Sequence, residues 1–201
     1  NNNTYKYIDD AIKNGAVVIL SNKKYEVNIP NIVVDNPFDI LKDILPKFYK
    51  NFYKPKLIGI TGTDGKTSTS IFTHHLLNNS SYIGTNGIMY NNIKKDSFLT
   101  TPILSTNYEL LDFFSTININ TAIMEVSSEG ILNNRIYGLA FDYCVFTNLS
   151  HEHLNTHKTM KCYLETKKKL FSQLKENGIS IINNDDIYAD EFKQHKNVIT
   201  Y

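Results

Sequence analysis

The chain has 201 residues, a formal net charge of +1 and 41% hydrophobic residues, which suits one large domain, or one domain with part of another, built on a real core. The even charge balance argues against a nucleic-acid partner held on a basic face, and no apolar run approaches the roughly 20 residues of a membrane span. No secretory apolar stretch follows NNNTYKYIDD, and the two cysteines, Cys144 and Cys162, make no disulfide framework, so a cytoplasmic protein is expected.

Residues 4–14 read as a short helix stopped by Gly15, and 16–20 and 31–35 as strands. Helical spacing resumes after Asp35, with Pro46 expected to kink or end that helix, and 50–56 reads as a linker. From Lys56 the pattern is regular: a strand at 57–61, a glycine turn, a helix at 67–77 and a strand at 81–84. A loop or hairpin follows, then a helix at 105–115, a strand at 121–126 and a helix at 129–134. A strand at 143–149, a helix at 159–176, and strands at 179–183 and 197–201 around one last helix complete the chain. Strands alternating with helices predict an α/β fold with a mostly parallel sheet covered on both faces. Both ends read as cuts, because the first strands lack partners and the last strand stops at the terminal residue.

The stretch TGTDGKT, 61–67, sits between the strand and the helix. Gly62 and Gly65 let the backbone turn its N–H groups inward as an anion nest, and the following helix adds its positive end. Lys66 is placed to neutralise phosphate charge and the Thr67 hydroxyl to hold Mg²⁺. The strict Gly-x-x-x-x-Gly-Lys-Thr pattern fails, because Ile60 stands where its first glycine belongs. A glycine-rich turn with an exposed lysine is the plain alternative. In MEVSS, Glu125 ends a strand of a parallel sheet, where ligands bind, and is a candidate Mg²⁺ ligand beside a phosphate loop. SHEHLNTH holds His151, His153 and His157, but the spacing is not that of a zinc helix and no cysteine pair is near. ETKKKLF puts three lysines on a helix, ordinarily a solvated face. Among the 21 basic side chains only Arg135 is arginine. Its planar fork binds phosphate or carboxylate bidentately, which lysine does not, although chance would also leave one arginine.

Taken in order, TGTDGKTS, LTTP, MEVSS with its later Arg, FTNLSHEHLNTH and YLETKKKLF resemble the Mur ligases, most closely their tripeptide synthetase branch. The likeness covers nearly the whole chain and is strongest over 57–171. It implies a P-loop-containing α/β central domain, partial, over 54–201. Before it, 1–53 would be the tail of a smaller α/β uridine-binding domain, and the C-terminal ligase domain is absent. The implied reaction is ATP-dependent addition of a diamino acid, as third residue, to UDP-N-acetylmuramoyl-L-Ala-D-Glu through an acyl phosphate. The resemblance further implies a cytoplasmic monomer with no nucleic-acid or membrane partner. Gly62, Thr63, Asp64, Gly65, Lys66, Thr67, Ser68 and Asn148 match ATP contacts. Thr67, Glu125 and His153 match Mg²⁺ ligands, and Lys167 matches a lysine carbamylated by CO₂, which turns an amine into a metal-binding carboxylate. Thr100, Thr101, Ser127 and Arg135 match substrate contacts, and Lys66, Lys167 and His153 are the expected catalytic set. The chain departs from the family pattern at Leu99 (usually Asn), Glu129 (usually His), Glu152 and Asn155. A truncated nucleotide-binding module without ligase activity, and a simple P-loop kinase or ATPase, stay open as alternatives.

Overall fold

In the computed structural model the described residues are 2–151 and 158–201, with side chains from residue 7 onward. They divide into two compact units, 1–47 and 48–201. The first contains α1 (Asn2–Lys13), then β1 (Ile19–Ser21) paired in parallel with β2 (Asn31–Val33), and most of α2 (Pro37–Phe48). Asn31 ties the link between the strands. Its Oδ1 accepts from the Tyr25 N–H at 2.6 Å, and its Nδ2 donates to the Ser21 hydroxyl at 2.7 Å. The first strand begins later than the apolar run AVVIL suggests. Val17 is 77% exposed, so apolar character there is not spent on pairing. Pro46 lies in the last turn of α2, and the helix ends two residues beyond it.

The second unit opens with β3 (Lys56–Thr61), α3 (Lys66–Leu76) and β4 (Ser80–Gly84). The antiparallel strands β5 (Gly87–Tyr90) and β6 (Ile93–Lys95) follow, then α4 (Leu104–Thr116), β7 (Thr121–Glu125) and α5 (Ser128–Leu132). The unit ends with β8 (Phe141–Phe146), α6 (Met160–Phe171), β9 (Leu174–Ile182), a 3₁₀ turn (Ala189–Phe192) and β10 (Val198–Thr200). The loop-or-hairpin segment is thus a hairpin. Asn91 and Asn92 both take positive φ, 45° and 63°, as a two-residue turn that follows strand twist requires. The last expected helix is only the 3₁₀ turn, which stacks Phe192 on Phe146 with ring centroids 3.9 Å apart.

The sheet runs β10-β9-β8-β3-β7-β4-β5-β6 and is parallel except for the β4–β5 and β5–β6 pairs, so the fold is α/β with a mostly parallel sheet. Strand β3 is central, and after its first residue it is buried throughout, as strands covered on both faces are. Ile58 and Ile60 join Ile123 and Val145 on one face. Gly59 faces the other, where an added Cβ would lie 2.8 Å from the Phe141 ring and 2.9 Å from Leu170 of α6. The α6 helix stops five residues short of the expected 176. Leu174 instead pairs with Phe141, and three extra residues of β9 bulge out before Ile179 pairs with Tyr143. The chain leaves β3 for β4 on one side, then returns through β7 to β8 on the other. The carboxyl end of β3 is therefore a topological switch point, where open α/β sheets form a crevice. Among the described residues no helix is long and apolar enough to cross a membrane.

Candidate active site

The loop after β3 is built as its glycines require. Gly65 holds φ +80°, a left-handed conformation, and directly precedes α3. Gly62 has φ +157°, and a side chain there would overlap the Thr147 hydroxyl. Segment 147–148, beyond β8, braces the loop. The Thr147 hydroxyl donates to the Asp64 carbonyl at 2.6 Å, and the Asn148 carbonyl accepts from Thr63 N–H at 2.9 Å. The Asn148 side chain accepts from the Asp64 N–H at 2.9 Å and donates to the Asp64 carbonyl at 3.1 Å.

Two cations meet one carbonyl in this loop. Lys66 Nζ donates to Gly62 O at 3.0 Å and to Thr63 O at 2.7 Å. Lys167, reaching across from α6, donates to the same Gly62 O at 2.7 Å. Lys167 is 1% exposed, and its Nζ lies 4.5 Å from the centroid of the Tyr163 ring, one helical turn earlier. Burial, reinforced by the charge of Lys66, brings Lys167 down to about 7 from the ordinary 10.5. Two ammonium groups on one acceptor repel each other. An anion placed between them would relieve that repulsion.

Glu125, at the end of β7, is fully buried yet well solvated by protein. Its carboxylate accepts from the Thr67 hydroxyl at 2.8 Å, from the Thr85 N–H at 3.1 Å and from the Tyr82 hydroxyl. Burial and the bond to Glu125 push the Tyr82 phenol up, so it stays a donor. The register that pairs Ile60 with Glu125 brings this carboxylate beside the glycine loop. Thr67 and Glu125 thus present a hydroxyl and a carboxylate together, hard oxygen donors of the kind Mg²⁺ takes. Among the described residues no group of three or more acidic, histidine or cysteine side chains gathers as a metal cluster.

Lys66, Thr67 and Lys167 line a cavity of about 350 Å³ together with Thr85, Thr100, Ser127 and Arg135. Leu99, Phe98 and Glu129 complete part of its wall.

Residues 60–201 match the family model of the Mur ligase middle domain, more than half of the chain. The chain belongs to the Mur ligase family. It is 34% identical over 200 residues to the UDP-N-acetylmuramoyl-L-alanyl-D-glutamate–2,6-diaminopimelate ligase of Lactiplantibacillus plantarum, covering 94% of this chain and 41% of that protein. It is 37% identical over 201 residues to the enzyme of the same name from Fusobacterium nucleatum, with the same coverage. It is 31% identical over 198 residues to the L-lysine ligase counterpart of Staphylococcus epidermidis, covering 93% of this chain and 40% of that protein. A solved diaminopimelate ligase structure superposes with a TM-score of 0.77 at 27% identity, over 96% of this chain and 42% of that one. The Thermotoga maritima MurF ligase in complex with ADP shares the fold, with a TM-score of 0.65 at 22% identity over 98% of this chain and 44% of that one. The chain therefore spans about two fifths of the length of the curated relatives it matches.

Within this Mur ligase domain the residues expected from sequence are distributed unevenly. Lys66, Thr67, Glu125, Lys167, Ser127, Thr100 and Arg135 converge. Thr101 does not face the cavity: it is fully buried, its hydroxyl donating to the Glu125 carbonyl at 2.9 Å and accepting from Ser127 N–H at 3.0 Å. It sets the β7–α5 turn. Thr63 is buried too, its hydroxyl accepting from the Ser150 N–H at 3.0 Å, whereas Asp64 and Ser68 are exposed. His153, Glu152 and Asn155, and His157 with them, lie outside the described residues. His151 is exposed. Sequence reasoning missed Tyr82, Gly84, Thr85, Thr147 and Tyr163. Only Tyr163 left a signal, its spacing of four from Lys167 on a helix.

Gly84 shows how tightly Glu125 is held. A Cβ at this position would collide with both the Glu125 carboxylate and the Tyr82 hydroxyl. Gly84→Ala is expected to lower the stability of the domain by about 1–3 kcal/mol, read as a drop in the urea midpoint at unchanged slope. An unchanged midpoint would mean that the carboxylate has room to retreat.

Proposed function

We propose that the protein carrying this chain is an ATP-dependent ligase that adds the third amino acid, a diamino acid, to UDP-N-acetylmuramoyl-L-Ala-D-Glu in peptidoglycan synthesis. The observation that carries this reading is the meeting of Lys66, Thr67, Lys167 and Arg135 around one cavity beside Glu125. Relatives of both diaminopimelate and L-lysine names are similar to the chain, so either amino acid fits. In this reading 54–201 is part of the ATP-binding domain and 1–53 the tail of a uridine-binding one. The protein acts in the cytoplasm as a monomer.

The chemistry follows from the charges. The carboxylate of the muramoyl dipeptide attacks the γ-phosphorus of ATP; the bond to the ADP oxygen breaks and an acyl phosphate forms. The amine of the diamino acid then attacks the acyl carbon, losing a proton as inorganic phosphate leaves. Lys66 and the loop N–H groups stabilise the charge that spreads over the phosphoryl oxygens. Thr67 and Glu125 would hold Mg²⁺, which when bound neutralises phosphate charge, with His153 as a further ligand. Lys167, buried and with its basicity lowered to about 7, gives up its proton readily near neutral pH, and the free amine is a nucleophile for CO₂. Its nitrogen forms a bond to the carbon, the proton goes to water, and a carboxylate replaces the ammonium. Ser127, Thr100 and Arg135 face the cavity that would take the dipeptide, and Arg135 suits its carboxylates.

The test is phosphate release by the complete protein given ATP, Mg²⁺, the UDP-muramoyl dipeptide and either diamino acid. Release is expected to need all four kinds of component. Release without the muramoyl dipeptide would favour a plain ATPase instead.

A further inference from the structure

The cavity carries an ion pair whose carboxylate has no part in the reaction above. Arg135 Nη2 donates to Glu129 Oε1 at 3.3 Å, and Nη1 donates to the Thr101 carbonyl at 3.2 Å. The two partners are held unequally: the Arg135 side chain is 13% exposed and that of Glu129 65%. The guanidinium is anchored on the wall by a backbone carbonyl that Thr101 cannot withdraw. The carboxylate stands in water and is free to turn away. Both residues line the same cavity as Lys66 and Lys167.

We propose that Glu129 is a specificity-determining residue that caps Arg135, so that an anionic group reaches the guanidinium only by displacing an internal carboxylate. The inference rests on the reading that the cavity takes an anionic substrate. Its physics is an exchange. An arriving monocarboxylate replaces one charge-assisted hydrogen bond by another of the same kind and gains little. A tethered carboxylate also competes at an effective concentration on the order of millimolar or above, so a dilute free carboxylate loses. A carboxylate on a ligand already gripped elsewhere in the cavity suffers no such disadvantage and displaces Glu129. A neutral group leaves the pair intact. Glu129 therefore discriminates against small free anions at Arg135.

Arg135 can be followed directly by phenylglyoxal labelling in the complete protein, read by mass on the peptide that contains it. Wild type is compared with Glu129→Gln and Glu129→Ala, with acetate and the UDP-muramoyl dipeptide as protecting anions. Both variants are expected to label about two- to fivefold faster, and the acetate concentration giving half protection to fall by a similar factor. Equal labelling rates and equal acetate protection in all three proteins would overturn the proposal. The dipeptide arm reads the substrate assignment separately. If acetate protects as expected and the dipeptide protects none of the three, the substrate reading falls and the role of Glu129 stands. If the dipeptide protects all three alike while acetate shows no difference, the substrate reading stands and Glu129 has no such role.

Discussion

Lys66→Ala in the complete protein is expected to lower substrate-dependent phosphate release by about a hundredfold to a thousandfold, the scale of losing one fixed charge at a developing oxyanion. Lys66 donates to two carbonyls of its own loop, at 3.0 and 2.7 Å, so its ammonium already sits against the glycine turn. A phosphate bound at that turn would meet the charge at short range. The fold does not depend on it. Lys66 is half-buried, and the loop is braced instead by Thr147 and Asn148. The variant should therefore keep its urea midpoint within a few tenths of a kcal/mol, the usual range for substitutions away from the core. Near-normal turnover in Lys66→Ala would remove the loop from the proposed mechanism. A collapse of stability together with activity would show that the lysine holds the loop rather than the phosphate.

Lys167→Ala is expected to lose activity on the same scale, by a different route. Alanine removes the buried amine that, in the proposed mechanism, CO₂ converts to a carboxylate. A small carboxylate such as formate, added at high concentration, should then restore part of the rate by filling the space. Wild type should lose activity in CO₂-free buffer and regain it with bicarbonate. Absence of both effects would leave Lys167 as a structural cation. Charge inversion also changes two contacts. A carbamate is repelled by the Gly62 carbonyl that the ammonium now meets at 2.7 Å, while Lys66, which repels the ammonium, attracts it. The unmodified amine makes a prediction of its own. Burial first, and Lys66 second, depress its folded value to about 7 from 10.5. Below pH 7 both folded and unfolded chains hold the proton, and the full cost of a buried ammonium is present. Above pH 7 the folded chain sheds the proton while the unfolded chain keeps it until near 10.5. Stability contributed by this group therefore rises with pH across that window. Urea midpoints in CO₂-free buffer on either side of pH 7 should show the rise in wild type and a smaller one in Lys167→Met.

Much of the central unit was legible because its signals are local. The apolar run 57–61 ending in a glycine turn and a helix marks a strand, a loop and a helix start within a dozen residues. Where local pattern misled, a longer-range contact had overruled it. Helical spacing carried on to 176, but pairing of Leu174 with Phe141 drew LKEN into a bulged strand. Thr101, which the resemblance matched with a substrate contact, buries its hydroxyl on the turn after β7, and no local pattern announces that. Glu129 was visible only as an unusual residue, and its hold on Arg135 was not.

Residue type and spacing alone predict a mostly parallel α/β sheet with a glycine turn between strand and helix at Gly62–Thr67, since periodicity and turn chemistry act between neighbours. Which distant groups meet is another matter. Thr67 reaches Glu125 across 58 residues and Lys167 reaches Gly62 across 105, and both meetings depend on the order of strands in the sheet. The altered basicity of Lys167 depends on burial and on the charge of Lys66, neither of which exists until those strands and α6 have packed.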